Sequence, residues 1–379
     1  MLLVVMVILC SPLLKWDFER ISLELIGGDF AGYWASGRLL LQGKNPYSVE
    51  DLRAIQQSLN LPQKEFVLIY NPPWVLTFLL PFSILDFSLS KVIWLLCLLF
   101  LILYCAERLW IILGGHHDAR IWSLLLVVTF TPTFIAFKLG QIVPFMLLGL
   151  VGFLHFARRR QWWLAGIMTV FVAIKPHVIF LFWCAMVLWA VKKRLWQILL
   201  GSAFGLVCVT FPTLFFNANV FSQYFSDIVM KHHISYWATP TFGTYLRLLF
   251  GIEKEWVIYM PALAGLIWFI SYWRVRRDSW IWQKDLHLLI IISLISNCYS
   301  WQFDYLLILP TVMQAAIWIR QEPGVRNKVL MVLFYIMINV AAIVFTYFPF
   351  PFLFLGMPFA LLINYILVKR QVVSNLTGG

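Results

Sequence analysis

Apolar runs long enough to cross a bilayer recur along this whole chain, and that repetition limits the fold more than anything else in it. About 20 apolar residues at ~1.5 Å each match a hydrocarbon core of ~30 Å, where only helices and closed barrels satisfy every backbone amide. A barrel would show short alternating segments, and the chain has none. With 62% hydrophobic and 12% charged residues and a mean hydropathy of +0.84, there is too little polar surface to cover a water-soluble core. The expected fold class is all-α: one polytopic membrane bundle over residues 1–379, with about twelve transmembrane helices and a juxtamembrane helix.

In a soluble protein a net charge of +12 would suggest nucleic acid. Here the basic residues sit in short loops between apolar runs, where they set topology, so the expected partner is the lipid bilayer and no nucleic acid is expected. The clusters Arg158-Arg159-Arg160, Lys192-Lys193-Arg194, Arg274 to Arg277, Arg320 to Lys328 and Lys369-Arg370 are therefore expected in the cytoplasm. Apolar hairpins lie between them: 162–174 with 177–191, 195–212 with 256–273, 281–297 with 305–319, and 329–347 with 352–368. Segments 121–137 and 142–156 form another, preceded by 88–106, and residues 1–14 read as a retained first crossing. Both termini then fall inside, and residues 15–87 and 213–255 form two large extracytoplasmic loops. Segment 70–85 is apolar, yet a crossing there would invert every later basic cluster, and Pro72, Pro73 and Pro81 interrupt it. It reads as a helix lying in the outer interface. The cysteines Cys10, Cys97, Cys105, Cys184 and Cys208 lie within apolar runs and Cys298 ends one, with neither a CxxC pair nor Cys/His metal spacing.

Polar residues that solvation does not explain collect on the outer face. Asp29 starts a helical pattern over 30–41 closed by Gly43. It has two readings, an N-cap worth ~1 kcal/mol or a general base at the mouth of the bundle. Tyr33 shares its face at i+4, and Arg38 lies on the flank, where it meets a phosphate or holds a loop. Asn45-Pro46-Tyr47 reads as a turn, and Tyr70-Asn71-Pro72-Pro73-Trp74 as an extended entry into the interfacial helix. Gln141 occupies a hairpin tip, as a sugar or phosphate ligand or as a turn residue. In Lys175-Pro176-His177 the lysine lies near bilayer depth, where a lone charge costs ~2.5–3.5 kcal/mol, so it requires an anionic partner or snorkels to the headgroups. Asp304 either caps the helix it opens or supplies a second carboxylate to the site. No Walker A, GxSxG or HExxH pattern occurs, which removes support for ATP-driven transport and for serine or zinc hydrolysis.

Taken in order, Gly28-Asp29-Phe30, Tyr33-Trp34, Gly37-Arg38, Gly43, Asn45-Pro46-Tyr47, Tyr70-x-Pro72-Pro73, Leu139-Gly140-Gln141 and Lys175-Pro176 resemble glycosyltransferase family 87. These are bacterial polyprenol-phosphate-mannose-dependent mannosyltransferases of the GT-C superfamily. The resemblance runs from about residue 27 to residue 305. It implies a GT-C-type bundle in a bacterial plasma membrane, an extracytoplasmic site and a polyprenyl-phosphate-linked hexose donor. It also implies a catalytic acidic residue in the first outer loop, which falls on Asp29. Many relatives carry a Ser-Trp-Asp-His-His type sequence where this chain has Ser300-Trp301-Gln302-Phe303-Asp304-Tyr305, so no histidine is expected to act there.

The expected reaction is hexose transfer, mannose favoured, to an acceptor hydroxyl on a glycolipid, polysaccharide or other surface acceptor. Asp29 is the expected base, and Arg38, Tyr33, Tyr70, Gln141, Lys175, His177 and Asp304 are the expected substrate and donor-phosphate contacts. A phosphate leaving group met by lysine needs no metal, so neither metal nor cofactor is expected. Two rivals share the same groove: a transporter or flippase for lipid-linked sugars, and a glycan ligase or polymerase that uses a lipid diphosphate.

Overall fold

The computed structural model describes residues 27–59, 66–231, 239, 241–251 and 253–321, with scattered positions between 329 and 366. The expected first crossing at 1–14, most of the 329–347 and 352–368 hairpin, and both termini lie outside the described residues. Every described element is helical. In chain order these are α1 (Phe30–Leu41), α2 (Val49–Ser58), a 3-10 turn (Pro73–Val75) leading into α3 (Leu76–Ser83), and α4 (Phe87–Ile112). Next come α5 (Ile121–Val128), α6 (Thr131–Leu139), α7 (Val143–Arg158), α8 (Trp162–Val172), α9 (Phe180–Lys193) and α10 (Trp196–Phe216). The described chain continues through α11 (Val220–Tyr224), α12 (Phe242–Phe250), α13 (Met260–Arg276), α14 (Trp282–Ser296) and α15 (Leu309–Gln321).

Among the described residues, four helical units are long and apolar enough to cross a membrane: α4, α10, Glu255–Arg276 and Gln302–Gln321. The bent pair α5–α6 makes a fifth. Nine of the twelve expected crossings fall on described residues, and four of them, α7, α8, α9 and α14, have 16, 11, 14 and 15 residues, short of the ~20 that a bilayer core requires. Pro73–Ser83 is also short and apolar, and at ~1.5 Å per residue it spans about 17 Å, roughly half of such a core.

The segment expected as one crossing at 121–137 is two helices bent by 61°. Pro132 enters α6 at its first turn, and in a continuous helix its ring would meet the carbonyl four residues back, on Val128. The amide of Thr131 at the break donates to Asn339 Oδ1 at 2.6 Å. Elsewhere small residues bring backbones together. A Cβ on Gly166 of α8 would collide with the Ile198 carbonyl of α10, and one on Gly201 with the Trp163 carbonyl. Such contacts drive helix association where lipid supplies no hydrophobic force.

Helix α1 occupies the expected residues and ends before Gly43, whose φ of +70° suits only glycine without strain. It is buried on nearly all sides and packs on α3 and α4. Phe30 stacks on Trp94 with ring centres 5.2 Å apart, and Trp34 Nε1 donates to the Leu85 carbonyl at 3.1 Å. The helix that begins at Asp29 is thereby fixed in place.

Candidate active site

Two helix ends build the site. An α-helix leaves its last carbonyls without intrahelical partners, and at the end of α6 Gly140 takes a left-handed conformation, φ +69°. Gly140 N–H donates to Phe137 O at 3.0 Å and Gln141 N–H to Ala136 O at 2.8 Å, the paired bonds of a Schellman motif. The next two carbonyls, on Lys138 and Leu139, accept from Gly27 N–H at 2.7 Å and Asp29 N–H at 3.0 Å. Trp94 Nε1 holds the Gly140 carbonyl at 2.8 Å. One turn therefore sets Gln141 and Asp29 side by side across 112 residues of sequence.

Asp29 does not cap α1: its side chain makes no capping hydrogen bond. Its Oδ2 accepts from Gln141 Nε2, and Gln141 Oε1 accepts from Tyr33 O–H at 3.1 Å. The carboxylate stays partly exposed. Burial raises its pKa above the ordinary 3.8, opposed by the Gln141 hydrogen bond and then by the charge of Lys175. Desolvation outweighing the hydrogen bond and the charge leaves a carboxylate more basic than usual.

The second helix end is that of α8. Its carbonyls on Ala173 and Ile174 accept from Trp74 Nε1 at 2.9 Å and Asn71 Nδ2 at 3.4 Å, which docks the 70–74 stretch beside Lys175. The anionic partner that lysine requires is Asp304, with Nζ–Oδ1 at 2.9 Å. The other Asp304 oxygen accepts from Trp301 N–H at 2.9 Å, so Asp304 holds the start of its helix from the first turn while its other oxygen pairs with Lys175. Lys175 Nζ also lies 4.4 Å from the centre of the Phe303 ring. An ammonium has three donors, so the ion pair leaves others for a ligand.

His177 lies within 6.0 Å of the Tyr299 ring and hydrogen-bonds the Tyr299 backbone. The residue keeps exposed surface although protein surrounds its ring. That surrounding protein lowers its pKa to about 4, with Asp304 opposing and Lys175 adding to the effect. The imidazole is neutral near pH 7. Tyr70 faces Tyr299 at 6.4 Å between ring centres. The outer wall comes from α11 and the turn after it: Tyr224 O–H donates to the Tyr70 carbonyl at 3.4 Å, and Asn45 Nδ2 donates to Asp227 Oδ2 at 2.7 Å.

Asp29, Tyr33, Gln141, Lys175, His177, Asp304 and Tyr70 thus share one neighbourhood. Arg38 does not join them. It lies nine residues along α1 from Asp29, about 13 Å at 1.5 Å per residue, and its guanidinium donates to the Ser83 and Ile84 carbonyls at 3.0 and 3.3 Å. Of its two expected roles the structure gives it the loop. Sequence reasoning missed Tyr299, whose only signal was its place between the apolar run of α14 and Ser300-Trp301.

No curated protein and no solved structure matches the chain. The model of glycosyltransferase family 87 matches residues 69–310. That match includes Tyr70, Gln141, Lys175, His177 and Asp304, whereas Asp29, Tyr33 and Arg38 precede it. With more than half of its length in the match, and helices suited to a bilayer, the chain belongs to glycosyltransferase family 87 and is a membrane glycosyltransferase.

Proposed function

We propose that this protein transfers a hexose, mannose favoured, from a polyprenyl-phosphate donor to an acceptor hydroxyl at the extracytoplasmic face of a bacterial plasma membrane. The observation that carries the reading is Asp29. It is a partly exposed carboxylate with raised basicity that is spared from capping, oriented by Gln141 and set in the field of Lys175.

Asp29 takes the acceptor proton as the acceptor oxygen attacks the anomeric carbon. The bond from that carbon to the phosphate oxygen breaks, and its electron pair leaves on polyprenyl phosphate. Lys175 meets the charge that develops there, and the reading invokes no metal. In-line attack inverts the centre, so a β-linked donor gives an α-linked product. The short apolar helix 73–83 and the flank of the bundle cradle the polyprenyl chain, within a GT-C-type bundle whose basic loops face the cytoplasm.

The test is transfer by purified protein in detergent from polyprenyl-phosphate mannose and its glucose counterpart. Transfer from the mannosyl donor is expected. Transport of a lipid-linked sugar without transfer would favour a flippase and overturn the reading.

A further inference from the structure

Residues 297–301 connect α14 to the 3-10 turn Gln302–Ile308. Where such a connector is extended, alternate side chains share a side, and Tyr299 and Trp301 meet there: Trp301 Nε1 donates to Tyr299 Oη at 2.9 Å, with the rings near perpendicular at 87°. Tyr70 closes a second side of the Tyr299 ring at 6.4 Å and His177 a third at 6.0 Å. Tyr299 is partly exposed and lies in the electrostatic reach of both Asp29 and Asp304. Its oxygen accepts from Trp301, and among the described residues nothing accepts its own proton. Burial, ahead of the neighbouring charges, raises its pKa, so that proton is retained at physiological pH.

An aromatic corner with one uncommitted O–H, beside a base and a lysine, suits a ligand that is apolar on one face and hydroxylated at its edge. We infer that Tyr299 contacts the hexose of the donor: its ring and that of Tyr70 wall the sugar, and its O–H donates to a sugar oxygen. This inference rests on the glycosyl-transfer reading. It assigns the sugar to the 297–301 side of the site and the phosphate to the Lys175 side.

The test compares binding of polyprenyl-phosphate mannose with that of bare polyprenyl phosphate, without acceptor so that no turnover occurs. Wild type should bind the sugar-bearing lipid more tightly. Tyr299→Phe keeps the ring and removes the donor, and should shrink that preference about fivefold, one hydrogen bond's worth. Tyr299→Leu should shrink it further, and neither change should move the affinity for the bare lipid. Thermal melting of each variant reports any loss of fold, and Tyr299→Phe is the arm that preserves packing. An unchanged sugar preference in both variants would overturn the role of Tyr299 while leaving the transfer reading intact. An equal loss for both lipids would place Tyr299 on the phosphate and overturn it too. A wild type with no sugar preference at all would overturn the choice of donor itself.

Discussion

Removing Lys175 separates what the ion pair does for the fold from what the ammonium does for the reaction. At 2.9 Å and an effective dielectric of about 20, Coulomb's law gives roughly 6 kcal/mol of gross attraction, much of it offset by desolvation of the two ions. The side chains of Lys175 and Asp304 are 12% and 1% exposed, so Lys175→Met leaves a buried carboxylate without its cation. Breaking such a pair costs about 3–5 kcal/mol. The Trp301 amide still serves the other oxygen, which sets the expected loss near the lower end, about 3 kcal/mol. In the double variant Lys175→Met/Asp304→Asn no charge is stranded, and the new side-chain amide oxygen still accepts from the Trp301 N–H. Its stability should therefore return to within about 1 kcal/mol of wild type. Reversible unfolding in mixed micelles measures both. Transfer should behave differently: the single and the double variant should both lose at least about a hundredfold, because neither offers a cation to the leaving phosphate. Recovery of transfer in the double variant would refute the catalytic assignment and leave Lys175 a structural residue. A single variant as stable as wild type would refute the ion pair.

Other consequences follow from the same geometry. The proposed mechanism requires Asp29 deprotonated, so the acid limb of kcat/KM should lie above the ordinary carboxylate value of 3.8, with activity falling about tenfold per pH unit below it. Gln141→Leu removes the donor that favours the charged form and should move that limb to higher pH; a pH profile with the limb unmoved or shifted down would contradict the Asp29–Gln141 contact. Arg38→Gln cuts the tie to the Ser83 and Ile84 carbonyls and should lower the thermal midpoint while leaving KM for the donor within about twofold, since the proposed donor contacts lie at the other end of α1. A tenfold rise in that KM would return Arg38 to the donor phosphate.

What could be read from sequence was what depends on local periodicity or on the cost of a charge. Helix 30–41, with Tyr33 on the face of Asp29, follows from 3.6-residue spacing, and a glycine before Gln141 marks a tight helix end. The need of Lys175 for an anion follows from its depth alone. That the anion is Asp304, 129 residues on, does not, because aspartates at other helix mouths satisfy the same requirement. The bend before Thr131 was signalled by Pro132 and masked by the apolar run around it. Tyr299 was hidden for a different reason: among 14 tyrosines, only the tertiary meeting with Tyr70, His177 and Trp301 sets it apart. Arg38 shows the reverse case, a flanking charge whose carbonyl partners come from a loop 45 residues away.

The central claim is that Asp29 removes the acceptor proton. Asp29→Asn keeps an oxygen for the Gln141 amide and deletes the basicity, so it isolates that function. In single-turnover transfer from polyprenyl-phosphate mannose at saturating donor and acceptor, this variant should slow the chemical step by about 10²–10⁴-fold with donor affinity preserved. Transfer at the wild-type rate would contradict the claim.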